Sequence, residues 1–158
     1  MNLFHQGGTT HDMRNFISLL EKRGQLRRIT GQIDPDQELA AISDRVLGMG
    51  GPALLFENVL GSDIPVAVNL LGTMERVLWS MGLEKEEELE ELGKKLAMLQ
   101  QPKPPKDLKE LFGFGSLAWD LIKARSDFDL TPSCHQQIIR EKELNLDKLP
   151  LLKPWPDD

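Results

Sequence analysis

Apolar residues recur every three or four positions in several stretches of this chain, which is the spacing of an amphipathic helix. The first stretch follows Asp12, which is predicted as the N-cap, and it ends at Gly24, a residue suited to the left-handed turn after a helix. A third helix is predicted to open at 72–73, and a fourth covers about 86–101. Shorter amphipathic segments follow at 108–112 and 117–123.

The second helix carries the strongest start signal in the chain. Asp34 is predicted as its N-cap, Pro35 occupies the first helical position, and Gln37 completes a capping box. The glycines of 48–51 end this helix, and Pro52 prevents it from resuming.

Three short apolar runs, at 25–30, 53–59 and 64–69, predict β-strands. Only the turn residues 60–63 separate the last two runs, so these strands are expected to form an antiparallel hairpin. The order helix, strand, helix, strand, strand and then helices predicts an α/β (α+β) fold, with a small mixed sheet flanked by helices.

Length and charge exclude several classes of protein. The chain has 158 residues, 40% of them apolar, which gives room for one domain and part of another. A formal net charge of −6 argues against a nucleic-acid partner. Cys134 is the only cysteine, the first residues given lack the basic and apolar regions typical of a signal peptide, and no apolar run is long enough to span a bilayer. We therefore expect a cytoplasmic protein.

Two acidic groups are candidates for metal or acid–base chemistry. The first is Asp34, Asp36 and Glu38, where the capping role of Asp34 and the helix dipole favour a structural interpretation. The second is the run of glutamates in 84–91, which precedes Lys94 and Lys95. The pairs Glu90–Lys94 and Glu91–Lys95 have the spacing of stabilising ion pairs on a solvated helix face.

Two glycine-containing loops are candidates for phosphate binding. The loop 48–51 follows a helix and precedes a strand, which is the wrong polarity for a phosphate cradle. The segment 69–73 has the right polarity, but one glycine is a weak signal, and capping of the next helix by Thr73 is favoured.

The histidines and the cysteine do not form a recognisable site. Cys134 and His135 are adjacent, so on a strand they would point to opposite faces. His5 and His11 lie in the polar N-terminal stretch, and no zinc-ligand spacing is present. The residues by themselves therefore assign no catalytic, cofactor-binding or metal-binding side chain.

Several segments, in order along the chain, resemble the N-terminal domain of the UbiD family of prenylated-flavin-dependent carboxy-lyases. The matching segments are LEKRGQLRRI at 20–29, DPDQE at 34–38, GGPALLFENV at 50–59, IPVAVNLLGT at 64–73, LGKKL at 92–96, PKPPK at 102–106, LDKLPLL at 146–152 and WP at 155–156. Two departures are Asp157 after Trp155-Pro156, where the family usually has glycine, and His135 after Cys134.

This resemblance implies a decarboxylase that releases CO₂ from an aromatic acid. The most similar variant is the 3-polyprenyl-4-hydroxybenzoate decarboxylase of quinone biosynthesis (ubiquinone or plastoquinone), and the family's aromatic-acid decarboxylases are the alternative. The resemblance implies that prenylated FMN, manganese and the Glu/Arg catalytic set belong to a domain that begins near Ser133 and continues past Asp158. No cofactor is then expected on this chain, and the chain alone is expected to be inactive.

The resemblance also sets the expected organisation and partners. Residues 1–11 are expected as a flexible arm, 12–125 as the α/β domain, and 126–158 as a linker and the start of a truncated central flavin domain. The expected partner is the rest of the same enzyme, which forms a homo-oligomer and contacts membranes only peripherally, through a prenylated substrate.

Two other hypotheses remain open. The tail 144–155 has five leucines and a tryptophan without an evident internal partner, which is consistent with a non-catalytic subunit that assembles with a separate flavin-domain polypeptide. An independent small-molecule enzyme is the remaining hypothesis.

Overall fold

The computed structural model describes residues 12–100, 138–140 and 144–156. The described residues fall into two compact units. The first unit contains 12–80 together with 138–140 and 144–156, and the second contains 81–100. The domain boundaries expected from the sequence stay predictions.

Helix α1, Met13–Lys22, begins and ends where its sequence signals predict. The Asp12 carboxylate accepts a hydrogen bond from the Asn15 amide at 2.8 Å, which satisfies one of the free N–H groups of the first turn. Gly24 follows the helix with φ +69°, the left-handed conformation that glycine adopts without strain. Both predictions are confirmed.

The sheet has three strands, β1 (Leu26–Ile29), β2 (Ala53–Phe56) and β3 (Val66–Val68), in the order β1-β2-β3. β1 and β2 are parallel, so helix α2 (Glu38–Gly48) is the crossover between them. β2 and β3 are antiparallel, which confirms the predicted hairpin. The small mixed α/β fold predicted from the sequence is therefore present.

The start of α2 differs from the prediction. The helix begins at Glu38, and its N-cap is Gln37, whose φ is +64°. The Asp34 carboxylate instead accepts from the Asp36 amide at 2.8 Å, within the loop that precedes the helix. This loop stays outside the helix because Asp36 forms a parallel β-bridge with Lys153. The predicted capping role of Asp34 was wrong because it rested on local signals alone.

The core lies on both faces of β2, whose four residues are all buried. Alternate residues of a strand point to opposite faces, so Ala53 packs with α1 while Leu54 and Phe56 pack with α2. The buried residues of the α1 side are Phe16, Leu20 and Ala53, and those of the α2 side are Ile33, Leu39, Leu54, Phe56 and Val59. The apolar run at 53–59 is thus a buried strand, as predicted, followed by a loop.

Helix α3 is Met74–Ser80 and helix α4 is Glu86–Gln100. The start of α4 is stabilised by Glu88, whose carboxylate accepts from the amides of Glu84 at 2.8 Å and Lys85 at 3.1 Å. The bounds of α4 agree with the prediction to one residue. The helices predicted at 108–112 and 117–123 lie outside the described residues.

Candidate functional site

Arg76, in α3, is the most unusual side chain in the described part of the chain, because its guanidinium group is completely buried. Its Nη1 donates to the Gln25 side-chain oxygen at 3.1 Å and to the Gly51 carbonyl at 3.0 Å. Gln25 directly precedes β1, and Gly51 lies two residues before β2. Arg76 therefore joins α3 to two loops at the end of the sheet where β1 and β2 begin.

Two nitrogens of this guanidinium, Nε and Nη2, are buried without a hydrogen-bond partner among the described residues. Burial lowers the pKa of Arg76 from its ordinary value, and the carboxylate of Glu75 opposes this shift. A fully buried arginine normally has a carboxylate partner, since an uncompensated buried charge is costly. In this protein the acceptors are an amide oxygen and a carbonyl oxygen, so the charge is stabilised by dipoles.

The loop before α3 is shaped to bring Arg76 into this position. Asn69 adopts a left-handed conformation with φ +58°, and its side-chain amide donates to the Ser43 carbonyl at 2.7 Å. The Thr73 hydroxyl accepts from the Arg76 amide at 3.4 Å, and the Thr73 carbonyl accepts from the Val77 amide at 3.0 Å. Thr73 therefore caps α3, which confirms the structural interpretation of 69–73.

Sequence reasoning missed Arg76. Charged residues are almost never fully buried, so the apolar pattern assigns the inward face of this helix to its neighbours. A usable signal was Gly72, four residues before Arg76, because a residue without a side chain leaves room for a large side chain beside it.

The acidic group at the start of α2 is held by local hydrogen bonds. The Glu38 carboxylate accepts from the Asp34 amide at 3.0 Å, and Asp34 accepts from Asp36. These contacts support the structural interpretation, although Glu38 takes the role predicted for Gln37. On α4, Glu90 and Lys94 form the predicted pair at 3.8 Å, and both side chains are about three-quarters exposed.

Of the remaining sequence candidates, the structure describes the loop 48–51. Gly50 has φ +64° and Gly51 contributes its carbonyl to Arg76, so the loop 48–51 terminates α2, consistent with its predicted polarity. The other candidates lie outside the described residues: His5, His11, Cys134 and His135.

A second unusual feature is the segment 144–156, which we call the strap. Within the first unit, it packs against residues 12–80 mainly through its backbone. The Lys153 amide donates to the Pro35 carbonyl at 3.2 Å, and the Lys153 carbonyl accepts from the Gln37 amide at 2.9 Å. The Lys148 carbonyl accepts from the Ser62 hydroxyl at 2.8 Å. The strap thus connects the loop before α2 with the loop after β2.

The strap leaves its large apolar side chains exposed. We call this set the leucine face; its members are 38–70% exposed and comprise Leu144, Leu146, Leu149, Leu151, Leu152 and Trp155. A short 3₁₀ helix, Leu146–Lys148, capped by Asn145, fixes the first part of the strap. The sequence correctly indicated an exposed apolar tail but missed its backbone pairing with the domain.

Comparison with known families decides the identity of this fold. Residues 17–96 match the family model of the 3-octaprenyl-4-hydroxybenzoate carboxy-lyase N-terminal domain, UbiD_N. This match covers half of the chain and includes the sheet, α2, α3 and Arg76. The chain belongs to the UbiD family. The resemblance noted from the sequence is confirmed.

Three known proteins are similar to parts of this chain. An uncharacterized protein of Synechocystis sp. (sll0936) is 54% identical over 147 residues, which are 93% of this chain and 29% of that protein. Vanillic acid decarboxylase of Sedimentibacter hydroxybenzoicus, in its closed form, has a TM-score of 0.52 at 27% identity, covering 63% of this chain and 22% of the enzyme chain. The UbiD-class enzyme HmfF of Pelotomaculum thermopropionicum, an evolved dimeric form in complex with prFMN, has a TM-score of 0.49 at 32% identity, covering 60% of this chain and 21% of that chain.

The UbiD domain described above is thus a small part of its relatives. The chain spans less than a third of the length of the Synechocystis relative and less than a quarter of vanillic acid decarboxylase. The Arg76 cluster lies inside the segment that the family model matches, whereas the strap lies outside it.

Neither the metal nor the flavin that the family resemblance implies is assigned to described side chains of this UbiD domain. Within 12–100, 138–140 and 144–156, no three His, Cys, Asp or Glu side chains converge where a metal ion could bind. Arg76 is the buried cation of this unit, yet its side chain has no accessible surface that a flavin phosphate could contact. No step of a decarboxylation is therefore assigned to these side chains. Within the same ranges, no helix is both long and apolar enough to cross a membrane.

Proposed function

We propose that this chain is the N-terminal scaffold domain of a decarboxylase that uses prenylated FMN to release CO₂ from an aromatic acid. The observation that carries this proposal is the match of residues 17–96 to the UbiD_N family model. It is supported by the 27% identity to vanillic acid decarboxylase at a TM-score of 0.52, since that enzyme's name states the same class of reaction.

The chemistry of decarboxylation explains why a scaffold role suits the described residues. The electron pair left by a departing carboxylate needs a sink, which the prenylated flavin supplies when bound, and an acid that returns a proton to the product. In the proposal, the flavin, its manganese ion and the catalytic Glu/Arg set belong to the rest of the enzyme. The fixed loops around Arg76 then contribute rigid support.

The proposed substrate is a 3-polyprenyl-4-hydroxybenzoate, and the proposed pathway is quinone biosynthesis in the cytoplasm. The description of the family model names the octaprenyl form of this acid. An aromatic acid without a prenyl chain, such as vanillic acid, is the second substrate candidate, and the similarity to vanillic acid decarboxylase favours it.

A fusion protein tests the scaffold role. The 158-residue chain replaces the matching segment of the Synechocystis relative, and the fusion is loaded with prenylated FMN. We expect the fusion to retain the flavin and to release CO₂ from whichever of the two acids, a prenylated 4-hydroxybenzoate or vanillic acid, the unmodified relative decarboxylates in the same assay. A fusion that folds but loses an activity shown by the parent would contradict the proposal.

The chain alone provides the matched control. We expect it to emerge from purification without flavin absorbance and to release no CO₂ from either acid. Flavin that stays bound to the 158-residue chain would place the cofactor site here and would overturn the scaffold role.

A second candidate function is that of a non-catalytic subunit which binds a separate flavin-domain polypeptide. The exposed leucine face of the strap favours it, because several large apolar side chains exposed within one short segment are typical of an interaction site. Addition of the chain in trans to the remainder of the Synechocystis relative distinguishes the two: a subunit restores activity without a covalent link, whereas a domain requires the fusion.

A further inference from the structure

We propose that the leucine face of the strap is the docking surface for the flavin-binding remainder of the enzyme. This inference rests on the proposed function, because it names the surface through which the scaffold domain would contact that remainder. It concerns side chains of the strap that lie outside the family-model match.

The first argument is the way in which the strap is held. Its ordered backbone bonds to Pro35, Gln37 and Ser62 position the segment without burying its leucines. Leu151, in the middle of this bonded stretch, is 65% exposed, and Trp155 is 70% exposed. A partner that covers these side chains does not have to order the backbone beneath them, because that backbone is already fixed. The strap is therefore preorganised for a protein partner.

The second argument is the position of the strap in the sequence. UbiD_N is by description an N-terminal domain, and the matched part of the Synechocystis relative is only 29% of its length. In such a protein the strap is covalently continuous with the remainder. A segment joined directly to the surface it binds has a high effective concentration there, so even a modest apolar face is sufficient.

The charge of the strap argues against a lipid surface as the occupant. Lys148 and Lys153 are its only cations, Asp147 lies beside the first of them, and the chain as a whole has a net charge of −6. Segments that bind anionic membranes carry clusters of several Lys and Arg residues. A protein surface with apolar pockets matches the leucine face better than a lipid headgroup layer does.

Thiol labelling in the fusion protein tests this docking surface. Leu151→Cys and Met13→Cys are introduced separately, each with Cys134→Ser, into the isolated chain and into the fusion with the remainder of the Synechocystis relative. Leu151 and Met13 are equally exposed, at 65% each, so they form a matched pair. We expect both thiols to react rapidly in the isolated chain, and only the thiol at 151 to react about tenfold more slowly in the fusion. Leu149→Cys is a second reporter on the same face.

Each other outcome would overturn the proposal. Equal labelling at 151 in the fusion and the isolated chain would show that the leucine face stays in water. Protection in the isolated chain that rises with protein concentration would indicate a second copy as the occupant. Protection that appears only with vesicles of phosphatidylcholine and phosphatidylglycerol would indicate a membrane. Equal protection at 13 and 151 would show that the effect is not specific to the strap.

The same samples separate this proposal from the proposed function. If the fusion releases CO₂ while its thiol at 151 stays reactive, the scaffold role is supported and the docking surface is rejected. If the thiol at 151 is protected in a fusion that is inactive although the unmodified relative is active, the docking surface is supported and the scaffold role is rejected.

Discussion

Gly72 lies directly against the guanidinium of Arg76: a methyl group placed on Gly72 would be 2.7 Å from Nη2 and 2.7 Å from the Leu47 side chain. It would also lie 3.2 Å from the Asn69 carbonyl, which is backbone and cannot rotate away. The absence of a side chain at position 72 is therefore what allows the buried arginine to lie across the loop.

We predict that Gly72→Ala destabilises the protein by about 1–3 kcal/mol, because the added methyl overpacks a closed space. Urea unfolding followed by circular dichroism measures the change. Gly48→Ala is the matched control, since Gly48 lies at the end of α2 with open space around it. Alanine there favours the helix by up to about 1 kcal/mol, so the two substitutions should have opposite signs. A stabilising Gly72→Ala would contradict the close contact.

We predict that Arg76→Ala lowers the free energy of unfolding by about 3 kcal/mol, since it leaves a cavity and removes both hydrogen bonds to the neighbouring loops. Arg76→Met should recover most of this loss. The methionine fills the volume without burying a charge, and it leaves only the Gly51 carbonyl and the Gln25 side chain to be satisfied by water. The same urea titrations measure both variants.

The comparison of the two variants decides what Arg76 contributes. If methionine is as destabilising as alanine, the hydrogen bonds to Gln25 and Gly51 outweigh the filled volume, and our assignment of the larger share to packing is wrong. If neither Arg76→Ala nor Arg76→Met lowers the free energy of unfolding, Arg76 and its hydrogen bonds add nothing to stability.

The parts of this fold that sequence reasoning predicted correctly are those with local causes. Asp12 and Gly24 bracket α1, because an N-cap carboxylate and a left-handed glycine act on backbone groups within one turn. The β2–β3 hairpin follows from the shortness of its connection.

The predictions that were wrong or incomplete concern residues held by contacts between distant parts of the chain. Asp34 and Pro35 are typical of a helix start. Because Asp36 pairs with Lys153, however, α2 begins only at Glu38. No local propensity shows that two loops far apart in the sequence will pair. Arg76 was missed for a related reason: its burial depends on acceptors supplied by two other loops.

We predict that Lys153→Pro releases the strap. Proline has no N–H group, so the bond to the Pro35 carbonyl is lost while the rest of the sequence is kept. Amide hydrogen exchange at Gln37, which donates to the Lys153 carbonyl, should accelerate about tenfold, and trypsin should cleave after Lys148 more rapidly. Lys153→Ala keeps the N–H group and is the control, for which both rates should stay at the wild-type level.

An accelerated exchange in Lys153→Ala would show that the lysine side chain, not the backbone bond, holds the strap. Unchanged exchange at Gln37 in Lys153→Pro would show that the bridge between Asp36 and Lys153 does not limit the opening of this loop.

Acid sensitivity should arise partly from an ion-pair group on the surface of the first unit. The Glu21 carboxylate accepts from Arg28 Nε at 2.6 Å and from Nη2 at 3.0 Å, and Glu57 accepts from Nη1 at 2.5 Å. The hydrogen bond from Arg28 is the main cause that lowers the pKa of Glu21, and the two carboxylates raise the pKa of Arg28. The group joins α1, β1 and the end of β2.

We predict that Glu21→Gln makes the protein less sensitive to acid. Because the pKa of Glu21 is lower in the folded state, the unfolded state binds more protons below about pH 4.5. The stabilisation by Glu21 is therefore fully present above that pH and is lost as the pH falls through the lower folded value. Urea midpoints of wild type and variant, measured from about pH 7 to about pH 3, should differ most at neutral pH and converge in acid. Glu87→Gln, on α4, is the control and should show the same acid dependence as the wild type. If the difference in urea midpoint between wild type and Glu21→Gln does not change with pH, Arg28 does not discriminate between the two charge states of Glu21.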